Sequence, residues 1–432
     1  MRYRPSRGLV LCLAPLLVTA TAGAWAWRKA NDVPLQARAS GDFVDLVKRK
    51  ESLDGYDNAE WAAVLKEHRA EAVALKQKLL AEFPGLAAEA KPVPAELNGF
   101  LALHKFTGYP LGTGPRVGPK LAHLLAGKVE WNAEAVKAAL DENPAEVAKA
   151  EEIAAMPNHS CSGMPGDYNG FISARAGKFC ADVLLLKARL AAEAKDEAEA
   201  LRLVGAARNL TRHYREIEQP CLLAETVAML LDLSVTECVF EHLLPQLGAQ
   251  ADLVKWKQAL VTRGYTPADF AEVMRGEWNA STEYYLIPYI IKQAPADGEK
   301  LLRIHAGNYE TLVKTLPTMS WQEFLHQPCG SLGEGFNFLS DESREIAKVI
   351  SVGCNAWTKG YVRAASKLAT HQAALDLMLL EKAGENLDPT TVEKIVVEPV
   401  SGQRFTYEPT SRTLSPPEGM KEYEVGTVKL PW

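Results

Sequence analysis

Three arginines and two carboxylates form the constellation in this chain whose types and spacing could do chemistry: Arg208, Arg212 and Arg215, then Glu225 and Asp232. At 100° per residue the arginines fall within about 60° of one another on a single helix face. Glu225 and Asp232 are seven residues apart, hence on one face of the next helix, amid an otherwise apolar run. Paired carboxylates support general acid and base work, or grip a partner in a groove, or face the arginines across a helical bundle. Solvated outer faces are the commoner origin of such a pattern. No second catalytic element accompanies the acids, so the constellation reads as a binding surface rather than an active site.

Other chemistry fails on spacing. The sequence has no H-E-x-x-H and no C-x-x-C, and Glu323-Phe324-Leu325-His326 is a lone E-x-x-H where di-iron bundles use two. The nine histidines are scattered; His159, two residues before Cys161, could activate a thiol, but a loop cysteine in a disulfide is the commoner arrangement in an exported protein. Neither G-x-S-x-G nor S-x-x-K occurs. Gly112 to Lys120 is rich in glycine but lacks the Walker spacing, and its prolines remove N–H donors, so it reads as a surface loop. No catalytic residue, metal site or cofactor is assigned.

The cysteines point to an oxidising compartment. Cys12 lies in the N-terminal apolar span, which leaves Cys161, Cys180, Cys221, Cys238, Cys329 and Cys354, an even number. Cys221 and Cys238 cannot pair along one helix, because 17 residues at about 1.5 Å each separate them by roughly 25 Å. Cys329 with Cys354 is the preferred bridge; two of Cys161, Cys180 and Cys221 could also pair near one end of the bundle. Several being small buried hydrophobes is the alternative.

Arg2, Arg4 and Arg7 precede an uncharged apolar span over residues 8–27, the pattern of an export signal. Ala24-Trp25-Ala26 fits a cleavage site, while the span's length and the flanking Trp25, Trp27, Arg28 and Lys29 fit a retained anchor. Either way the body is extracytoplasmic, with residues 1–27 as signal or membrane anchor and 28–58 as linker. A net charge of −6 argues against nucleic acid as a partner.

Helices must position everything else. Phe179, Val183, Leu186 and Leu190 recur at helical spacing, as do Leu203, Ala207, Leu210 and Tyr214, then Leu223, Val227 and Leu230. Short connections make these three helices, over 174–244, antiparallel neighbours. Asn143-Pro144-Ala145-Glu146, Thr266-Pro267-Ala268-Asp269 and Ser320-Trp321-Gln322-Glu323 are helix-start signals. The expected fold is all-α, antiparallel hairpins stacked as a bundle or short solenoid over 59–383. Ile395 to Tyr407 alternates and then turns at Pro409-Thr410-Ser411 into Arg412-Thr413-Leu414, a small β-hairpin within a 384–432 tail.

Several motifs resemble a large family of exported helical proteins from planctomycete-type bacteria. They are the helix from Asn143 ending before Cys161, Asp167-Tyr168-Asn169-Gly170-Phe171, the leucine-rich hairpin through Leu223, and the Pro399 to Gly402 turn with Tyr407. Glu398-Pro399-Val400 departs from the family's Asp-Pro-aromatic pattern. The resemblance implies a tetratricopeptide-like body and no substrate. The expected function is a membrane-tethered interaction scaffold of the envelope, its partner another envelope protein; the alternative is an enzyme or ligand binder acting on a surface polymer through carboxylates in a helical groove.

Overall fold

The computed structural model describes residues 58–106, 117–125, 130–162, 174–261, 264–282, 287, 297–326, 353–388 and 390–432. The signal or anchor, nearly all of the linker, the Asp167 to Phe171 motif and residues 112–116 of the glycine-proline loop lie outside them. Among the described residues no helix is long and apolar enough to cross a membrane.

The fold is all-α: the described residues form fourteen packed α-helices and a small C-terminal sheet. In chain order the helices are α1 (Asn58–Glu82), α2 (Gly99–Phe106), α3 (Pro119–Leu125), α4 (Ala133–Asp141), α5 (Pro144–Ala155), α6 (Ala174–Glu193) and α7 (Glu197–Arg215). They continue as α8 (Leu222–Cys238), α9 (Leu244–Leu247), α10 (Leu253–Leu260), α11 (Pro267–Ser281), α12 (Gly298–Thr315), α13 (Trp321–His326) and α14 (Gly353–Lys382). Two compact units contain them, one of residues 1–87, 274–315 and 328–357, the other of 88–273, 316–327 and 358–432.

In the first unit, α12 seats the turn after α1: Glu310 Oε1 accepts from the Gly85 N–H at 2.8 Å, and Arg275 Nε donates to the Gly85 carbonyl at 3.0 Å. The second unit holds the candidate site. Its centre is the three consecutive helices α6, α7 and α8, with α6 and α7 packed most extensively and α7 and α8 next. A three-residue connection reverses α6 into α7. Lys195 adopts a left-handed backbone (φ 61°), and the N–H groups of Lys195 and Asp196 reach back to the carbonyls of Ala192 and Ala191. Asp196 then caps α7, its Oδ1 accepting from the Glu199 N–H at 3.0 Å.

Glycines set how closely α7 is approached. A Cβ on Gly177 of α6 would stand 2.6 Å from the Tyr214 ring, and one on Gly99 of α2 would stand 2.2 Å from His213. Both rings therefore rest on bare backbone.

Thr266 with Asp269, and Ser320 with Glu323, form reciprocal capping boxes with side-chain bonds of 2.6 to 3.2 Å. Glu323 of the lone E-x-x-H is therefore a cap. Asn143 differs from expectation: α5 begins at Pro144, yet the Asn143 amide bonds the Ala139 carbonyl at 2.7 Å and the Gly118 N–H at 2.8 Å. It fastens the α4 end and residue 118 instead of capping α5. Pro119 opens a helix within the stretch read as a loop.

The third helix is also interrupted. After Cys238 the chain makes a π turn over Val239–Leu243 before α9, which has Pro245 in its first turn and ends at Gly248 with φ 78°.

The tail is a three-stranded antiparallel sheet of β1 (Thr406–Glu408), β2 (Thr413–Ser415) and β3 (Val428–Lys429). Tyr407 pairs with Leu414, so the turn at 409–411 is where the sequence places it. Residues 395–405 are not a strand. Buried Glu398 accepts the N–H groups of Val400 and Ser401 at 3.2 and 2.6 Å and closes a local turn at Gly402, φ 67°.

Candidate functional site

The sequence leaves Glu225 and Asp232 as solvated or facing inward, and the structure places both inside. Their side chains are each 1% exposed, because α8 turns inward the face that carries them, opposite a part-exposed stripe through Leu223, Thr226, Leu230, Ser234 and Glu237. A carboxylate so placed must find a cation or give up its charge. Arg208 Nη1 lies 2.6 Å from Asp232 Oδ1, and Arg215 Nε lies 3.1 Å from Glu225 Oε1. Two of the three arginines on the α7 face therefore meet the two acids across the α7–α8 pair. Arg212 does not join them. More than half exposed, it makes a two-pronged pair with Glu216 at 3.0 Å, one turn along.

Two tyrosines and backbone carbonyls complete the cluster. Tyr265 donates its hydroxyl to Asp232 Oδ2 at 2.7 Å, and its ring lies 3.9 Å beneath the Arg215 guanidinium. Tyr361 of α14 packs edge-on to Tyr265, with ring centres 5.3 Å apart. Arg215 Nη2 donates to the Gly264 carbonyl at 2.7 Å and Arg208 Nη2 to the Leu260 carbonyl at 3.4 Å. Burial opposes the Arg215 charge, but Glu225 and the tyrosine oxygens outweigh it and raise the pKa above its ordinary value. Burial first, then Asp232, pushes the Tyr265 hydroxyl well up, so it remains a donor. The set holds its charges fixed against one another.

A cavity of about 190 Å³ opens beside it, bounded by Thr211, Arg212, Glu216 and Val261 together with Arg208, Arg215 and Asp232. That is room for about six waters. The arginines and acids around it are engaged with one another, which suits a hydrated ion-pair cluster better than a reacting centre.

His159 lies in the same unit. Its Nε2 stands 3.2 Å from Glu216 Oε2, and burial lowers its pKa despite that carboxylate. Glu218 spans the neighbouring backbone, accepting from the N–H groups of Cys161 and Lys91, each at 2.9 Å. His213 is fully buried, with Nε2 3.0 Å from the Ile153 carbonyl; burial brings its pKa down to about 4.

The expected pairing among Cys161, Cys180 and Cys221 is not made: these three and Cys238 carry thiols, with no disulfide between them. Burial pushes the Cys180 and Cys238 thiols up to about 12, so neither forms a nucleophilic thiolate near neutral pH. They are small core residues. The Cys329–Cys354 pairing lies outside the described side chains. Among the described residues no group of three or more histidines, cysteines and acids is placed to hold a metal ion.

A second concavity was not foreseen. It is a groove of about 950 Å³ built by α4, α5, α6 and α7. Leu140, Val147, Leu190 and Leu203 form its floor, while Glu134, Asp141, Glu151, Glu193, Asp196 and Glu199 line it against Lys137 and Lys187. Lys187 pairs with Glu151, and the Trp131 indole N–H donates to Glu193. The missed signal was apolar: Val147 and Leu190 are helix-face residues that stay half-exposed where α4 to α7 meet.

Comparison of the chain with protein-family models, with curated proteins and with solved structures gave no match.

Proposed function

We propose that this chain is an exported helical scaffold of the cell envelope, of the kind its resemblance implies, with its N-terminal segment as signal or anchor. It holds a segment of another envelope protein in the groove of α4 to α7 and performs no catalysis there. The observation that carries this reading is the groove itself, broad, apolar at its floor and charged at its edges. Stacked helix pairs present such surfaces to extended partners, and their breadth suits a polypeptide better than a small substrate.

The alternative, hydrolysis or ligand capture through paired carboxylates, needs Glu225 and Asp232 open to a substrate. Each instead faces an arginine inside the bundle. A general acid or base must exchange its proton with the reacting group; Glu225 is buried against Arg215, and Asp232, which borders the cavity, has both oxygens engaged by Arg208 and Tyr265.

Crosslinking in intact cells, followed by mass-spectrometric mapping of the joined residues, tests the proposal. The expected result is one recurrent partner joined at Lys137 or Lys187, beside the groove. Crosslinks confined to other faces would overturn it.

A further inference from the structure

The groove of α4 to α7 carries more negative charge than its own neighbours answer. Six carboxylates line it against two ammonium groups, and counting Arg202, which pairs with Glu199, and Arg189, whose charge acts on Glu193, leaves a surplus of two. Glu134 and Asp141 stand exposed at its edge, beside a floor in which Val147 and Leu190 stay half-exposed.

We infer that the partner enters the groove as a basic amphipathic segment, its apolar side chains on Val147 and Leu190 and its lysines or arginines toward Glu134 and Asp141. This rests on the reading of the groove as a docking surface and adds the chemistry of what docks. Neither feature alone would select such a partner. The floor without the acids would accept any amphipathic helix, and the acids without the floor would accept any polycation; together they require both faces on one segment.

The test uses the full-length chain and three synthetic peptides, titrated by fluorescence anisotropy. The first has leucines at i, i+3, i+4 and i+7 with lysines elsewhere; the second has glutamate in place of lysine; the third keeps the lysines and replaces leucine with serine. Binding of the first alone is expected, with affinity falling as salt rises. Glu134→Lys with Asp141→Lys should weaken it about tenfold or more, since both sites are exposed and reverse the local field. Glu134→Gln with Asp141→Asn should weaken it less, which keeps the test valid if the reversed variant folds poorly. Reversing Glu418 and Glu422, far along the chain, should change nothing. Equal binding of the glutamate or serine peptide, or indifference to the groove variants, would overturn the inference. Should crosslinks still map to the groove, the scaffold reading would survive that failure.

Discussion

Glu225 and Asp232 differ from Glu216 in what their removal leaves behind. Glu225→Ala strands the Arg215 charge in the bundle, and removal of one partner of a buried pair costs about 3–5 kcal/mol. Urea unfolding should show that loss. Arg212→Ala breaks only a half-exposed pair with Glu216 and should change stability by less than about 0.5 kcal/mol. Similar losses in both variants would remove the distinction between cluster and surface. His213 supplies a pH dependence whose sign is fixed. Its folded pKa of about 4 lies below the ordinary 6.5, so between those values the unfolded chain binds the proton and the native chain does not. Stability should therefore fall as pH drops from 6.5 toward 4, by up to about 1.4 kcal/mol per unit from this residue, with no contribution above 6.5. His213→Gln should show a shallower slope in unfolding free energy against pH; an unchanged slope would contradict the assignment. At this scale the sequence showed which charges share a face, because helical spacing alone decides that. It could not show Tyr265 and Tyr361 closing the cluster, since those contacts join segments distant in the chain, nor that Glu225 and Asp232 face away from the part-exposed stripe of α8.

Helix by helix, close approach makes the next prediction. Gly177→Ala puts a methyl into the Tyr214 ring, and such overpacking should destabilise by about 1–3 kcal/mol. Gly205, in the middle of α7, meets nothing within 4 Å of an added Cβ. Gly205→Ala should therefore stabilise by about 0.5–1 kcal/mol through helix propensity alone. Thermal unfolding of the two variants should shift in opposite directions. The apolar periodicity of α6, α7 and α8 made their existence and order legible, and the boxes at Thr266 and Ser320 fixed two starts. Asn143 misled because its amide found the Ala139 carbonyl and Gly118 N–H, tertiary partners that no local pattern reveals. The π turn before α9 has no side-chain period of its own, and β3 is too short to alternate.

For the whole molecule, two interleaved units were beyond sequence reasoning, because no linker separates them and contacts between remote segments define each one. The groove was hidden for a similar reason: it exists only once α4 and α5 lie against α6 and α7. The central claim is that this surface, and not the buried acids, carries the function. It is tested most directly by placing a photo-crosslinking residue at Ala148, exposed in the groove, and at Lys255, exposed on α10, and irradiating intact cells. One defined protein adduct from position 148 and none from 255 is the predicted result; no adduct at 148, or the same adduct from both positions, would contradict it.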